Sequence, residues 1–313
     1  MTRAKVLSHV AEISFFKSWF FFIDLAFIVV YVILFVISMF LGVQQQTLAS
    51  DRQFDAQRST IGSAMYGVAQ QINDNPEMPK KQLAYLRHGL ELAANVSNAI
   101  KKQENALNNR QGNYLPLTIQ VSRQADILNQ SQGPIQASDA DIFRANAAEA
   151  RRLMKAHLSF EFNDASFNFP NVFFLFTSYF FNPLSILLFL VIQLAFFLLE
   201  KERKNERLLQ TLADEKSLAL GKMLFALKRF ITDLLVIYIL ASSTFLILDH
   251  PLLKSGSSSF AYPMTFLGMT QPLIKLLWPL FVIGLLLALL VNALLPLIYQ
   301  KVVNRPLSRG MRL

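Results

Sequence analysis

A chain of 313 residues that is 53% apolar and only 16% charged, with 28 Phe, carries more greasy surface than a water-soluble fold of this size can hide. Its net charge of +9 and pI near 9.7 would suit a nucleic-acid binder, but the bases cluster beside the apolar stretches, which argues against nucleic acid as a partner. The absence of cysteine excludes a disulfide framework and any thiolate metal site.

Residues 1–18 set Val6, Leu7, Val10, Ile13, Phe15 and Phe16 among Arg3, Lys5, His9, Glu12 and Lys17. That spacing predicts a cytoplasmic amphipathic N-terminal helix along the inner membrane interface, with a plain basic flank as the alternative. Residues 19–42 follow as the first transmembrane helix, since a hydrocarbon core of roughly 30 Å needs about 20 residues at ~1.5 Å each. The apolar run from Trp19 to Val43, interrupted by Asp24, far exceeds the ~7–15 residues of a signal-peptide core, and no small-x-small cleavage pattern follows Gly42. It therefore reads as a permanent anchor.

Residues 43–171 read as a helical extracellular domain. Phe54, Ile61, Met65, Val68 and Ile72 recur at helical spacing up to the turn signal Asn73-Asp74-Asn75-Pro76. A second helix starts near Pro79 and carries Leu83, Leu86, Leu90, Ala93 and Ile100 on one face until the stretch from Asn108 to Asn113 breaks it. A third holds Leu117, Val121 and Leu128 and closes at Ser131-Gln132-Gly133-Pro134. Ser138 with Asp141 resembles a helix-start cap ahead of Phe143, Ala147, Ala150, Leu153, Met154 and Leu158.

Three more crossings are expected, at 172–199, 230–248 and 276–300, separated by a cytoplasmic coupling segment at 200–229 and an extracellular loop at 249–275, with a cytoplasmic tail at 301–313. Lys and Arg outnumber Asp and Glu by three to one in residues 1–18, by eight to five in 200–229 and by four to none in 301–313. Across 43–170 the balance is thirteen to twelve. By the positive-inside bias both termini are cytoplasmic and the large polar block is outside. The fold class is thus all-α, a multi-pass cell-membrane protein with four transmembrane helices.

No catalytic constellation stands out. The acids of the external block are dispersed, and His88 and His157 lack a partner at the spacing that would put two metal ligands on one helical face. Neither Gly-x-Ser-x-Gly nor Gly-x-x-x-x-Gly-Lys-[Ser/Thr] occurs, so the chain reads as no enzyme, with no cofactor of its own. If ATP drives it, another chain binds the nucleotide. Asp24 and Asp233 are the charges within the crossings, near their cytoplasmic ends, where they can reach the interface or pair with Lys17 and Arg229. Gln193 and Asn292 lie deeper, as amides that bond between helices, while Asn182-Pro183, Pro279 and Pro296 are expected to interrupt helices.

The most informative polar stretch runs from Glu200 to Lys222. Mixed charge through Glu202, Arg203 and Glu206 gives way to Leu208, Leu209 and Leu212, a short amphipathic helix at the inner membrane edge, followed by Gly221-Lys222. A solvated linker accounts for the charges but not for the leucines. In this layout the chain resembles ABC transporter permeases of the type-2 exporter superfamily, especially bacteriocin and peptide exporters of Gram-positive bacteria. The resemblance rests on Glu202-Arg203, Leu208-Leu209 and Gly221-Lys222, on the approach from Asn168 to Phe174, and on Tyr262-Pro263. It implies an ABC ATPase subunit coupled through Glu202, Arg203, Glu206, Leu208, Leu209, Leu212, Gly221 and Lys222, and a second permease subunit in a homo- or heterodimer within the lipid bilayer.

The chain departs from that pattern in three ways: Asn205 stands where the family usually has glycine, Leu212 stands for proline, and four crossings replace the usual six. A shortened half that needs another subunit, or a truncated gene, is the expectation. The four-crossing layout is shared by mechanotransmitting permeases of the macrolide-exporter and cell-division type, which form the competing expectation. A membrane sensor or immunity protein without an ATPase is the third.

Overall fold

The computed structural model describes residues 2–109, 111–162, 164–166, 170–202, 214–248, 260, 262–266 and 269–303. Among them the elements run α1 (Thr2–Phe16), α2 (Trp19–Asp74), α3 (Lys80–Asn108), α4 (Tyr114–Gln130), α5 (Ala140–Lys155), α6 (Asn171–Phe180), α7 (Pro183–Glu202), α8 (Glu215–Leu248), β1 (Pro263–Phe266), β2 (Met269–Pro272) and α9 (Leu273–Val303). Among the described residues the structure is helical apart from one small hairpin, in which Pro263 faces Pro272 and Phe266 faces Met269. That hairpin lies where the sequence suggests only a loop.

Among the described residues two helices are long and apolar enough to cross a bilayer, α2 and the Leu273–Pro296 part of α9; α6 with the Pro183–Leu198 part of α7 makes a third if that pair, bent by 56°, is a single span. The chain is thus compatible with membrane embedding. The expected crossing at 230–248 is the latter part of α8, which is not among these spans.

The largest departure from the sequence reading is α2. Anchor and first external helix are expected as separate elements, yet one uninterrupted helix covers all 56 residues from Trp19 to Asp74. No glycine or proline falls between Val43 and Ile61, and the hydroxyls of Thr47, Ser50 and Thr60 donate back to the carbonyls of Val43, Gln46 and Ala56, four residues earlier, so nothing there competes with the helix. At Asn182-Pro183 the structure has the interruption the sequence suggests, between α6 and α7. There the break is real and its cause local: Pro183 occupies the first helical position, where no N–H is required, and the Asn182 Oδ1 accepts the Leu184 N–H at 2.9 Å as an N-cap. Pro279 and Pro296, by contrast, sit inside α9 without ending it.

The chain divides into two compact units. The first gathers Met1–Ser38, Phe173–Leu248 and Pro263–Leu313. In it α1 packs on α8, and α8 on α9, around clusters of aromatic rings. Phe15 stacks edge-on to Phe196 with centroids 5.1 Å apart, and Phe35 likewise to Phe176 at 5.0 Å. Ring hydroxyls find partners in place: Tyr31 donates to Ser185 Oγ at 2.9 Å and Tyr238 to Thr177 Oγ1 at 3.1 Å.

The second unit holds Met39–Val172 and Asp249–Tyr262. On α2, Phe54, Gln57, Ile61 and Val68 are buried, a seam of seven-residue spacing with one polar position. In the α3, α4 and α5 array, Ala93, Ala125 and Ala147 are fully buried between larger Val96, Leu128 and Phe143, small side chains that let helix axes approach. The start of α5 corrects the expected cap: Asp139, not Ser138, flanks the helix, and it makes no side-chain cap bond. Its end explains an unassigned histidine. His157 takes a positive φ of 56° while the Leu158 N–H reaches the Leu153 carbonyl at 2.9 Å, so His157 is the left-handed residue that closes a helix terminus.

Candidate functional site

Of the residues expected to couple to an ATPase, Arg203, Glu206, Leu208, Leu209 and Leu212 lie outside the described residues. Glu202 is the last residue of α7. Gly221 and Lys222 stand on α8: the final part of the expected coupling segment forms the first turns of the helix that continues to Leu248. Asp214 starts that helix, its Oδ2 accepting the Ser217 N–H at 3.2 Å, and hydrogen bonds from Ser217 hold its carboxyl below the usual range.

Gly221 has a structural reason to be glycine. A Cβ at this position would stand 2.8 Å from Leu7 Cβ and 3.3 Å from the Ala4 carbonyl, so a side chain would drive α1 away from α8. The α1 surface that meets it is correspondingly small: Ala4, Ser8 and Ala11, with Phe15 at the end, are buried at helical spacing. The expected amphipathic face is elsewhere. Val6, Val10 and Ile13 form an exposed apolar strip on the other side of α1, which gives the helix two apolar faces rather than one. Lys222 is buried, its Nζ 5.8 Å from the Phe197 ring centroid on α7.

Two turns along α8 lies an arrangement the sequence only partly disclosed. Arg229 on α8 contacts the carboxylates of both Asp24 on α2 and Asp233 on α8, the latter at 2.7 Å, and all three side chains are buried, with 9%, 3% and 4% exposure respectively. The guanidinium also lies 4.2 Å from the Phe15 ring centroid on α1. One base therefore joins three helices. Sequence spacing named Arg229 as a partner for Asp233, four residues on, but offered Lys17 as well; Lys17 is exposed and stays out of the cluster. Beside the triad, Lys228 pairs with Glu12 of α1 at 3.6 Å, closer to solvent.

No family model, curated protein or solved structure matches this chain.

The deeper amides divide. Gln193 donates from α7 to the Ala226 carbonyl of α8 at 3.3 Å, as expected of an interhelical amide. Asn292 instead donates to Ala288 of its own helix at 2.8 Å, which corrects the expectation of a bond between helices. In the second unit a buried carboxylate escaped the sequence reading: Glu161 accepts from Ser166 Oγ at 2.6 Å and from Asn171 Nδ2, and its backbone N–H donates to the Tyr262 hydroxyl at 3.0 Å. Burial foremost, and the nearby Glu161 charge, push the Tyr262 hydroxyl well above the ordinary phenol range. The link spans about a hundred positions, beyond any local pattern. Among the described residues no group of three His, Cys, Asp or Glu side chains is placed to hold a metal ion.

Proposed function

We propose that this chain is the membrane-embedded permease subunit of an ATP-driven exporter for a peptide, antibiotic or other amphiphilic cargo. Residues 200–222 receive the stroke of a separate ABC ATPase, a second permease subunit completes the pathway, residues 43–171 lie outside the cell and both termini inside. Movement comes from the different contacts the ATPase makes in its two nucleotide states.

The observation that carries this reading is the base of α8. The helix begins at Glu215, a few positions in sequence after the expected coupling leucines, and runs without a break into the residues expected to cross the bilayer, while Gly221 and Arg229 fix it to α1 and α2. A push at such a base moves the membrane helices together, because no loop intervenes to absorb it.

The test is purification of the full chain from detergent with mass identification of partners. A nucleotide-binding subunit is expected with the natural chain and is expected to be lost with Leu208→Asp/Leu209→Asp. Its absence under conditions that keep other permease complexes intact overturns the proposal in favour of a sensor or immunity protein. The mechanotransmitting reading is favoured by one observation, the uninterrupted α2. It becomes the better account if the ATPase is present but cargo fails to accumulate in inverted vesicles.

A further inference from the structure

We propose that the cleft enclosed by α2, α3, α4 and α5 is a binding site for the primary carboxamide of a glutamine or asparagine side chain carried by a peptide. Every residue that lines it belongs to the second unit, so the site stands whether or not the exporter reading does. The starting point is a polar residue where packing calls for an apolar one. Along the buried seam of α2, Phe54, Ile61 and Val68 are apolar, yet the turn between Phe54 and Ile61 is taken by Gln57, only 5% exposed. Among the described residues no hydrogen bond satisfies the Gln57 amide. A buried amide without a partner weakens a fold, so its polarity serves nothing inside the unit.

What Gln57 lines instead is a cavity of about 40 Å³. That is more than the ~10–15 Å³ one water requires and far less than the ~150 Å³ of a cavity that encloses a benzene ring. It takes the end of a side chain, with the rest of the ligand outside. From α3 and α4 the lining includes Gln103 and Thr118, joined by the 2.9 Å hydrogen bond from Gln103 Nε2 to Thr118 Oγ1, while Thr118 Oγ1 donates to the Tyr114 carbonyl at 2.9 Å. These bonds fix the polar wall before a ligand arrives, which lowers the cost of ordering it on binding.

The chemistry of the amide selects the ligand. A carboxamide holds an N–H donor beside an acceptor oxygen in one plane, so the group that meets both edges of Gln57 at once is a second carboxamide, through paired N–H···O bonds. A hydroxyl meets one edge at a time, and a carboxylate has no N–H to give. The described residues lining the cavity also carry no charge to compensate a carboxylate. At the rim, Gln53 of α2 and Asn146 of α5 are exposed. Their amides suit the N–H and C=O groups of a peptide backbone whose side chain enters the cavity, whereas the two charges of a free amino acid would meet neutral amides there.

Saturation-transfer NMR on the full chain in deuterated detergent tests this, with N-acetylglutamine N-methylamide as the probe. Transfer to its side-chain methylenes is expected, with an affinity at least about tenfold above those of N-acetylglutamate N-methylamide, glucose and free glutamine. Gln57→Met keeps the length and helix propensity of the side chain and removes the carboxamide. It is expected to weaken binding at least about tenfold while the melting point stays level or rises, because no hydrogen bond within the fold is lost. A purely structural glutamine would show the reverse.

Three results overturn the proposal: no transfer beyond that seen with detergent alone, which leaves the cavity to water; the glutamate probe, glucose or free glutamine bound as tightly as the capped glutamine; or Gln57→Met binding the probe as the natural protein does. If Gln57→Met does not fold, the ranking of the four probes on the natural protein decides alone.

Discussion

The α3–α5 array of the second unit and the α1–α2–α8 packing of the first bury polarity in opposite ways, although the second unit also buries the Glu161 carboxylate outside that array. In the three-helix array of the second unit the buried polar contacts are between neutral groups: Gln103 Nε2 donates to Thr118 Oγ1 at 2.9 Å, which donates on to the Tyr114 carbonyl at 2.9 Å. In the first unit the buried groups include Asp24, Arg229 and Asp233, three ionisable side chains in contact with one another. Neutral bonds exchange water for protein partners at small net gain, whereas a buried charge can be kept only beside its opposite. The α1–α2–α8 packing therefore depends on a few residues acting together, and the α3–α5 array on many acting separately.

The sharpest way to break that contrast is Arg229→Leu, which leaves two carboxylates buried with no base. A loss of about 3–5 kcal/mol is expected, read by unfolding in mixed micelles; a loss below about 1 kcal/mol would mean that the triad opens to water. Next comes Gly221→Leu, which overfills the α1–α8 crossing and is expected to cost about 1–3 kcal/mol. Protease cutting within residues 1–18 is expected to rise with it, because the strain falls on α1 alone.

Smaller still is Gln103→Leu in the second unit, at about 1 kcal/mol, since Thr118 keeps its bond to Tyr114. Gln103→Leu/Thr118→Val, which removes both partners, is expected to restore most of that loss. A comparable rescue of Arg229→Leu by one further single substitution would erase the distinction between the units. The smallest effect belongs to Asp214, whose folded-state carboxyl titrates below its unfolded value. Its cap on α8 is present at neutral pH and lost as pH falls through that lowered value, so faster hydrogen exchange at the Ser217 amide in acid is expected, and Asp214→Ala brings it to neutral pH.

Local patterns were legible in the sequence where local physics decides. The turn at Asn73–Pro76, the helix beginning after Pro79 and the break at Asn182-Pro183 all follow from residues within a turn of the event. The hairpin at 263–272 and the continuity of α2 were not foreseen. The first has too few residues for a period to show, and in the second a change from apolar to polar composition was read as a boundary although nothing in the backbone stops there. At the candidate site, Gly221 stood out by its neighbour Lys222, but its reason, the passage of Leu7 and Ala4, involves residues more than two hundred positions away.

By itself, then, the sequence determined that this protein is helical, rich in segments apolar enough to enter a bilayer, and without cysteine chemistry, because composition and periodicity act through the nearest residues and the solvent. Only the tertiary structure decided which charges meet. Arg229 could have served either aspartate, Glu12 or the solvent, and α1 could have offered either of its apolar sides; packing α1, α2 and α8 around one guanidinium selected among these, since a buried charge constrains every helix that must help to neutralise it.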